Sequence, residues 1–147
     1  MKKVTFSEIL PIWTNDLWPD RVSTIESHSA MLFDGSYSMD NFDHTASYFC
    51  FQVDGVVAGI NSGHMCSDLS YRSRGLFVYP EFRKKGIGRA LLMATIDQAR
   101  FENAKFVWSF PRQNSWKVYE SAGFSLVSDW FDDEMGVNAY CKVNLNQ

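Results

Sequence analysis

The chain has 147 residues and a mass of 16.9 kDa, which is the size of a single domain, so we expect one domain over residues 1–147. Its hydrophobic share of 46% and aromatic share of 16% exclude a disordered chain, and its formal net charge of −3 disfavours a general nucleic-acid binder. The odd cysteine count of 3, the lack of a Cys-x-x-Cys pair and the lack of a long apolar run argue against a disulfide framework, a metal site and a membrane span. These features predict a cytoplasmic location.

The first third of the chain predicts one strand, two helices and a loop. Lys2–Phe6 has the composition of a short strand, and Ser7 is placed to cap a helix over Glu8–Trp18. A second helix is predicted over Asp20–Met31. The following stretch, Phe33–Thr45, is rich in Gly, Ser, Asp and Asn and is predicted to be a loop.

The middle of the chain predicts three strands. Ser47–Val53 and Val56–Cys66 are rich in β-branched and aromatic residues, and Asp54 and Gly55 lie between them. An Asp-Gly pair in this position favours a two-residue hairpin turn. Tyr71–Tyr79 is the third predicted strand, and the proline that follows ends it.

A helix, a strand and a second helix are predicted next. Gly86–Asn103 has helical periodicity, Lys105–Phe110 has strand composition, and Asn114–Ala122 reads as a short helix that ends at Gly123. The predicted buried face of the first of these helices consists of Ile87, Leu91, Leu92, Thr95, Ile96 and Ala99.

The last two predicted strands are Phe124–Trp130 and Gly136–Val143, joined by the acidic turn Asp132-Asp133-Glu134. The full order is then β-α-α-β-β-β-α-β-α-β-β. Because hairpins predominate, this order predicts an α+β domain with a mixed, mostly antiparallel central sheet flanked by helices.

The segment that begins at Leu76 is the most informative one for function. A strand is followed by a basic turn, by two glycines, Gly86 and Gly88, and by a long amphipathic helix. Glycines allow a close backbone approach, and a helix N-terminus offers free N–H groups, so this pattern favours phosphate binding over a merely solvated turn. Leu91 stands where a dinucleotide-binding fingerprint needs a third glycine. The basic residues of the turn and helix start are Arg83, Lys84, Lys85 and Arg89.

Two motifs resemble those of a known family. The spacing Val78-x-x-x-x-Arg83-x-x-Gly86-x-Gly88 is similar to the acetyl-CoA signature of the GNAT superfamily of N-acetyltransferases. Downstream, Tyr119 precedes Gly123-Phe124 in the order of that family's Tyr-x-x-x-Gly-Phe helix end. The close resemblance covers roughly residues 74–127, and it implies the GNAT-like fold and acetyl-CoA as co-substrate.

The resemblance also implies roles for individual residues. The backbone N–H of Leu76 would polarise the acetyl carbonyl, and that of Val78 would bind the pantetheine arm. Tyr119 would donate a proton to the departing CoA thiolate. The amine would attack the thioester directly, with no covalent enzyme intermediate. The pyrophosphate would lie on backbone amides between Arg83 and Gly88, including those of Lys84, Lys85, Gly86 and Ile87, with Arg83 and Arg89 as additional charges.

The sequence departs from the family pattern in two places. Arg112 stands where many members have the CoA-binding asparagine, and Asn114 follows two residues later, where it is a candidate for either CoA binding or helix capping. Arg72 stands where some members have a glutamate base. His64 is then the candidate base, with a structural role or a water-mediated proton transfer as the alternatives.

The acceptor is left open between two hypotheses. Arg72 and Arg74 share one face of a strand and are suited to a substrate carboxylate. The predicted pocket segments contain aromatic and acidic residues that suit a cationic amine instead. The aromatic residues are Trp13, Trp18, Phe33, Tyr37, Phe42, Trp130 and Phe131, and the acidic ones are Asp34, Asp40, Asp43, Asp132, Asp133 and Glu134.

The sequence thus favours an N-acetyltransferase acting on a primary amine of a small molecule or peptide. The alternatives are another acyl-CoA donor, a protein N-terminus as acceptor, or a CoA-binding module without turnover. Nucleic acid, membrane and metal partners are not expected, and both a monomer and a homodimer are compatible with the sequence.

Overall fold

A computed structural model describes residues 1–133 and 136–145. The first helix, α1, covers Phe6–Ile12 and continues as a π-helical turn over Trp13–Leu17. The other helices are α2, Ile87–Phe101, and α3, Trp116–Ser121. The strands are β1 (Lys2–Val4), β2 (Ser47–Val53), β3 (Val56–Met65), β4 (Tyr71–Val78), β5 (Phe106–Ser109), β6 (Ser125–Leu126), β7 (Phe131–Asp133), β8 (Gly136–Asn138) and β9 (Cys141–Asn144).

Seven strands form one sheet in the order β1-β2-β3-β4-β5-β9-β6. Every neighbouring pair is antiparallel except β4 and β5, which are parallel. Strands β7 and β8 form a separate hairpin. The structure therefore has the predicted mixed, mostly antiparallel sheet, with the chain crossing over through α2 to enter β5.

Helices cover both faces of the sheet, so a hydrophobic core lies on each face. Ile9 and Trp13 of the α1 segment pack against Tyr48 on one face. Leu91 of α2 packs against Phe49, the next residue of β2, on the other face. Neighbouring strand residues point to opposite faces, so one strand supplies both cores. No helix in the described part of the chain is long and apolar enough to cross a membrane.

Local signals in the sequence are confirmed where they specify short-range structure. Asp54 and Gly55 both have positive φ angles, 50° and 79°, as a two-residue hairpin turn requires. All six residues of the predicted apolar face of α2 are buried. Gly123 follows the last turn of α3 with φ 99°, a left-handed conformation that favours glycine.

The predicted second helix is wrong. The structure has no helix in residues 20–31, a segment rich in serine and β-branched residues that favour helices poorly. Distant side chains bind its main chain instead. The Tyr48 hydroxyl donates to the Ser27 carbonyl over 2.9 Å, and the Arg74 guanidinium donates to the Glu26 carbonyl over 2.9 Å. This extended segment lies over the sheet beside α1.

Three smaller predictions also need correction. Thr5, and not Ser7, caps α1, because its hydroxyl accepts the Glu8 N–H. The predicted strand 124–130 is reduced to the two residues of β6. The predicted strand 136–143 is divided between β8 and β9, since β9 pairs with both β5 and β6. Asp132 and Asp133 lie in β7, and Glu134 lies outside the described residues.

Candidate active site

The site begins where β4 separates from β5. The two strands share only two residue pairs, Tyr71 with Val107 and Arg72 with Trp108. Beyond these pairs β4 continues to Val78 without a partner on that side. Gly75 lies at this point with φ 79°, and its carbonyl accepts a 2.9 Å hydrogen bond from the Trp13 indole. A side chain at Gly75 would overlap that indole, so the bend needs glycine here.

The unpaired edge of β4 presents free N–H groups. The Tyr79 N–H donates to the Ala58 carbonyl of β3 over 2.9 Å. Because strand residues alternate between the two edges, the N–H groups of Leu76 and Val78 point away from β3 and into the gap. The Val78 carbonyl also faces the gap, where it accepts a 2.7 Å hydrogen bond from Arg83 Nε. The gap is therefore lined by main-chain groups that β5 does not use.

The N-terminus of α2 opens into the same gap. Gly86 caps the helix with φ 82° and no side-chain hydrogen bond, and the first helical bond runs from Ala90 to its carbonyl. The first N–H groups of α2 are left for a ligand. A Cβ at Gly86 would meet nothing within 4 Å, whereas one at Gly88 would lie 2.8 Å from a Val118 methyl carbon. Gly86 therefore keeps the turn open, and Gly88 allows α2 to pack closely on α3.

Strand edge, helix N-terminus and α3 enclose one cleft of about 1190 Å³. Most of the predicted site residues line it: Leu76, Val78, Arg83, Lys84, Gly86, Ile87, Gly88, Arg89, Asn114 and Tyr119. Lys85 does not line the cleft; its ammonium lies 5.8 Å from the centroid of the Phe82 ring. Asn114 lies in a 3-10 turn that lines the cleft, and it does not cap α3, whose N-terminus has no side-chain cap.

Tyr119 is the phenol at the inner end of the cleft. Its side chain is 5% exposed and packs edge-on against Phe124. Burial raises the pKa of the Tyr119 phenol well above its usual value, and Cys141 acts in the same direction, while Ser109 and Arg72 oppose the shift. The phenol is therefore protonated at neutral pH.

His64 lies outside the cleft. It is 1% exposed, its Nδ1 donates to the Met65 carbonyl over 2.9 Å, and its Nε2 accepts the Ser29 N–H over 3.1 Å. Burial, with smaller contributions from the nearby His28, Arg72 and Arg74, lowers the pKa of His64 to about 3, although the hydrogen bond to the Met65 carbonyl opposes the shift. With both ring nitrogens engaged, His64 holds the 20–31 segment against β3 and is poorly suited to act as a base.

The cleft is strongly cationic although the chain is acidic. Eight basic residues line its described part: Arg21, Arg72, Arg74, Arg83, Lys84, Arg89, Arg112 and Lys117. Two carboxylates, Asp16 and Asp133, also line it. Trp18 and Tyr37 are the only two of the predicted acceptor aromatics in its described lining. Asp34, Asp40 and Asp43 lie elsewhere, so the features that favoured a cationic acceptor are mostly absent from the cleft.

Sequence reasoning missed the residues that shape the gap. Trp13 was grouped with the substrate aromatics, yet it is fully buried and binds Gly75 from 62 positions away. Ser109 was not singled out, and its hydroxyl donates to the Ser73 carbonyl over 2.8 Å where β4 and β5 part. No local pattern marks either role, because both depend on a partner that is distant in the chain.

A sequence profile of the acetyltransferase (GNAT) family matches residues 10–124. The chain belongs to this family. Its splayed strands and its glycine-rich turn before α2 occupy the middle of the matched region. A search of curated proteins finds no match to the chain.

Solved structures of GNAT proteins share this fold. A protein provisionally assigned as an N-acetyltransferase from Lactobacillus plantarum matches with a TM-score of 0.70 and 13% identity, over 99% of this GNAT chain and 98% of its own. Nourseothricin acetyltransferase matches with a TM-score of 0.59 and 22% identity, over 67% of this chain. The Bacillus subtilis acetyltransferase, solved in complex with CoA, matches with a TM-score of 0.58 and 13% identity, over 69% of this chain and 78% of its own. The match covers 65% of nourseothricin acetyltransferase, which is less than two thirds of that protein.

Proposed function

We propose that this GNAT protein transfers the acetyl group of acetyl-CoA to a primary amine of a small molecule or peptide, by direct attack within a ternary complex. The observation that carries the proposal is the open edge of β4. The free N–H groups of Leu76 and Val78 share one cleft with the N-terminus of α2 and with the protonated phenol of Tyr119. The bound structures of relatives support acetyl-CoA as the donor.

The cleft residues fit acetyl-CoA, which supplies an activated thioester when bound. The N–H of Val78 would bind the pantetheine arm along the unpaired strand edge. The first N–H groups of α2, around Gly86 and Gly88, would hold the pyrophosphate, since anions bind at helix N-termini. Arg83, Lys84 and Arg89 add positive charge at this end of the cleft. Asn114 lies near the mouth and would contact the nucleotide end.

Two groups would then act on the reacting atoms. The Leu76 N–H would stabilise the negative charge that develops on the acetyl oxygen, an effect typically worth about 10²–10³ in kcat. Tyr119 would donate its proton to the departing thiolate. His64 takes no part in this proposal, so the amine would enter neutral or lose its proton to water. Holding both substrates in one cleft would supply the rest of the acceleration through proximity.

Calorimetric titration with acetyl-CoA, followed by a thiol-release assay over a panel of amines, tests the proposal directly. One-to-one binding and acceptor-dependent thiol release are expected. Tight binding without release for any amine would support a CoA-binding module in place of an enzyme. Absence of binding would refute the assignment of the cleft.

Matched variants locate the donor site. Gly86→Glu places a carboxylate where the pyrophosphate would lie and should abolish acetyl-CoA binding. Gly55→Glu is the control, because Gly55 has a similar φ of 79°, equally open surroundings and a position in a distant hairpin turn. Equal loss of binding in both variants would mean that backbone strain, and not the cleft, is responsible.

Tyr119→Phe tests the acid. It should lower kcat by about 10²–10⁴ with little change in acetyl-CoA affinity. Tyr71→Phe is the control, since it removes another buried hydroxyl, one that donates to Glu102 outside the cleft. An unchanged kcat in Tyr119→Phe would remove this residue from the mechanism.

Amide hydrogen exchange tests the strand edge itself. The N–H groups of Leu76 and Val78 should become protected when acetyl-CoA binds. The intervening N–H of Phe77 points to β3 and should be protected already in the free protein. Unchanged exchange at Leu76 and Val78 in the presence of saturating acetyl-CoA would contradict the proposed binding mode.

A further inference from the structure

We propose that the acceptor of this reaction is an amine that also carries a carboxylate, as in an amino acid, and that the guanidiniums of Arg72 and Arg74 bind this carboxylate. The inference rests on the proposed function and narrows its substrate class. It is carried by two buried arginines in the cleft that have no carboxylate partner in the described part of the chain.

Arg72 is 9% exposed and lies on β4 at the last pair before the gap. Its guanidinium stacks on the Trp108 ring at 4.5 Å. Nε donates to the Ser73 carbonyl over 3.1 Å, and one terminal nitrogen lies 3.7 Å from the Met31 sulfur, a weak acceptor. Burial lowers the pKa of Arg72. The neighbouring groups that oppose this shift are thiols and phenols, which are neutral at pH 7.

Arg74 is 6% exposed and lies on the same face of β4, two residues further on. Its guanidinium lies beside both Trp13 and Trp18, 5.0 and 5.3 Å from the ring centroids, which are themselves 5.2 Å apart. One terminal nitrogen donates to the Glu26 carbonyl over 2.9 Å. Burial, together with the neighbouring charges of Arg72 and Arg21, lowers the pKa of Arg74 to about 9, while Tyr48 and Glu26 oppose the shift.

The remaining guanidinium nitrogens are available to a ligand. Neither arginine has all its N–H groups bonded to described protein atoms. In the described part of the chain, the fully buried side-chain atoms without a hydrogen-bond partner are two asparagine oxygens, and no arginine nitrogen is among them. The unused nitrogens of Arg72 and Arg74 are therefore not fully buried; both residues line the cleft, and Arg74 also lines a second, smaller cavity. Two like charges buried side by side are costly without a counter-ion, and a bidentate carboxylate supplies one.

The position of the pair agrees with the chemistry. Arg74 precedes the proposed acetyl-polarising N–H of Leu76 by two residues, across the bend at Gly75. A carboxylate bound by the two arginines would therefore lie close to the thioester. This arrangement suits an acceptor of amino-acid size, in which the amine and the carboxylate belong to one small molecule. The described carboxylates near the pair are Glu26, which favours the charged form of Arg74 without forming an ion pair, and the two that line the cleft. Asp16 accepts a 2.9 Å hydrogen bond from the Tyr79 hydroxyl, and Asp133 lies in the separate hairpin.

The first experiment compares acceptors on the unmodified protein with acetyl-CoA as donor. Each of the twenty amino acids is paired with the amine that lacks its carboxylate and with its amide, for example phenylalanine with phenethylamine and phenylalaninamide. O-phosphoethanolamine is included to distinguish a carboxylate from a phosphate. We expect kcat/KM for at least one amino acid to exceed that of its carboxylate-free partner by about 10²-fold.

The second experiment uses Arg74→Lys, which keeps the charge and removes the planar fork. KM for the preferred amino acid should rise about 10–100-fold, at least tenfold more than KM for its amide, with unchanged acetyl-CoA affinity. Arg100→Lys is the control, because Arg100 is exposed on α2 and pairs with Asp97. A merely structural Arg74 would instead change both acceptors equally.

The outcomes separate the two proposals. Equal or better turnover of carboxylate-free amines refutes the carboxylate site and leaves the acetyltransferase activity standing. Preference for O-phosphoethanolamine over every amino acid refutes the carboxylate in favour of phosphate. Acetyl-CoA binding without thiol release for any acceptor refutes the activity and the site together.

Discussion

Protonation of His64 should limit the stability of this protein in mild acid. The ring is fully inside the protein, and its pKa is about 3 in the folded state against about 6.5 in an unfolded chain. The folded form therefore keeps a neutral ring where the unfolded form binds a proton. This contribution is complete above pH 6.5 and is lost progressively as the pH falls from 6.5 towards 3.

The magnitude follows from proton linkage. At pH 5 the unfolded ring is almost fully charged and the folded ring is almost fully neutral. The pH has fallen 1.5 units below the unfolded pKa, and each unit corresponds to about 1.4 kcal/mol. His64 alone should thus lower the free energy of unfolding by about 2 kcal/mol between pH 8 and pH 5.

Urea unfolding followed by tryptophan fluorescence at pH 8 and pH 5 measures this effect. His64→Gln should be less stable at both pH values, because it loses the hydrogen bonds to Met65 and Ser29. Its loss of stability between the two pH values should nevertheless be about 2 kcal/mol smaller than that of the parent. An equal loss in both proteins would show that His64 is accessible to protons in the folded state and would refute the argument.

Two further changes test packing around the cleft. Gly88→Ala should destabilise the protein by about 1–3 kcal/mol in urea unfolding and weaken acetyl-CoA binding, because its Cβ overlaps Val118. Adding Val118→Ala should restore most of the stability and most of the affinity. No rescue by the second substitution would contradict this explanation. Asn41→Ala should lower the free energy of unfolding by about 2–4 kcal/mol. Asn41 is fully buried, donates to the carbonyls of Ser29 and Met31, and accepts the N–H of Ser67. A loss below about 1 kcal/mol in the same assay would mean that water replaces these bonds.

The sequence was most informative where structure is local. The hairpin at Asp54-Gly55 and the buried face of α2 depend on turn chemistry and periodicity within a few residues. The turn that ends at Gly86 is also local, because its left-handed conformation and the helix that follows are adjacent in the chain. The family motif lies in this local region, so the fold and most residues that line the cleft were predictable together.

The sequence was least informative where tertiary partners decide. Residues 20–31 read as a helix, yet their main-chain groups are bound by side chains of Tyr48, His64 and Arg74, which lie far away in the chain. The same holds for His64, which reads as a candidate base until the segment at Ser29 closes over it. The late strands were misjudged because β9 lies between β5 and β6.

Only two residue pairs join β4 to β5, which is a short connection within a seven-stranded sheet. On one side of it lie β1 to β4, and on the other lie β5, β9 and β6, with α2 packed across both. If acetyl-CoA binds in the gap as proposed, it would contact both halves and hold them together. The cohesion of the domain should therefore rise with donor concentration, as mass action requires of any ligand that binds only the folded form. Cells that run short of the donor would hold a looser and more easily degraded population of this protein.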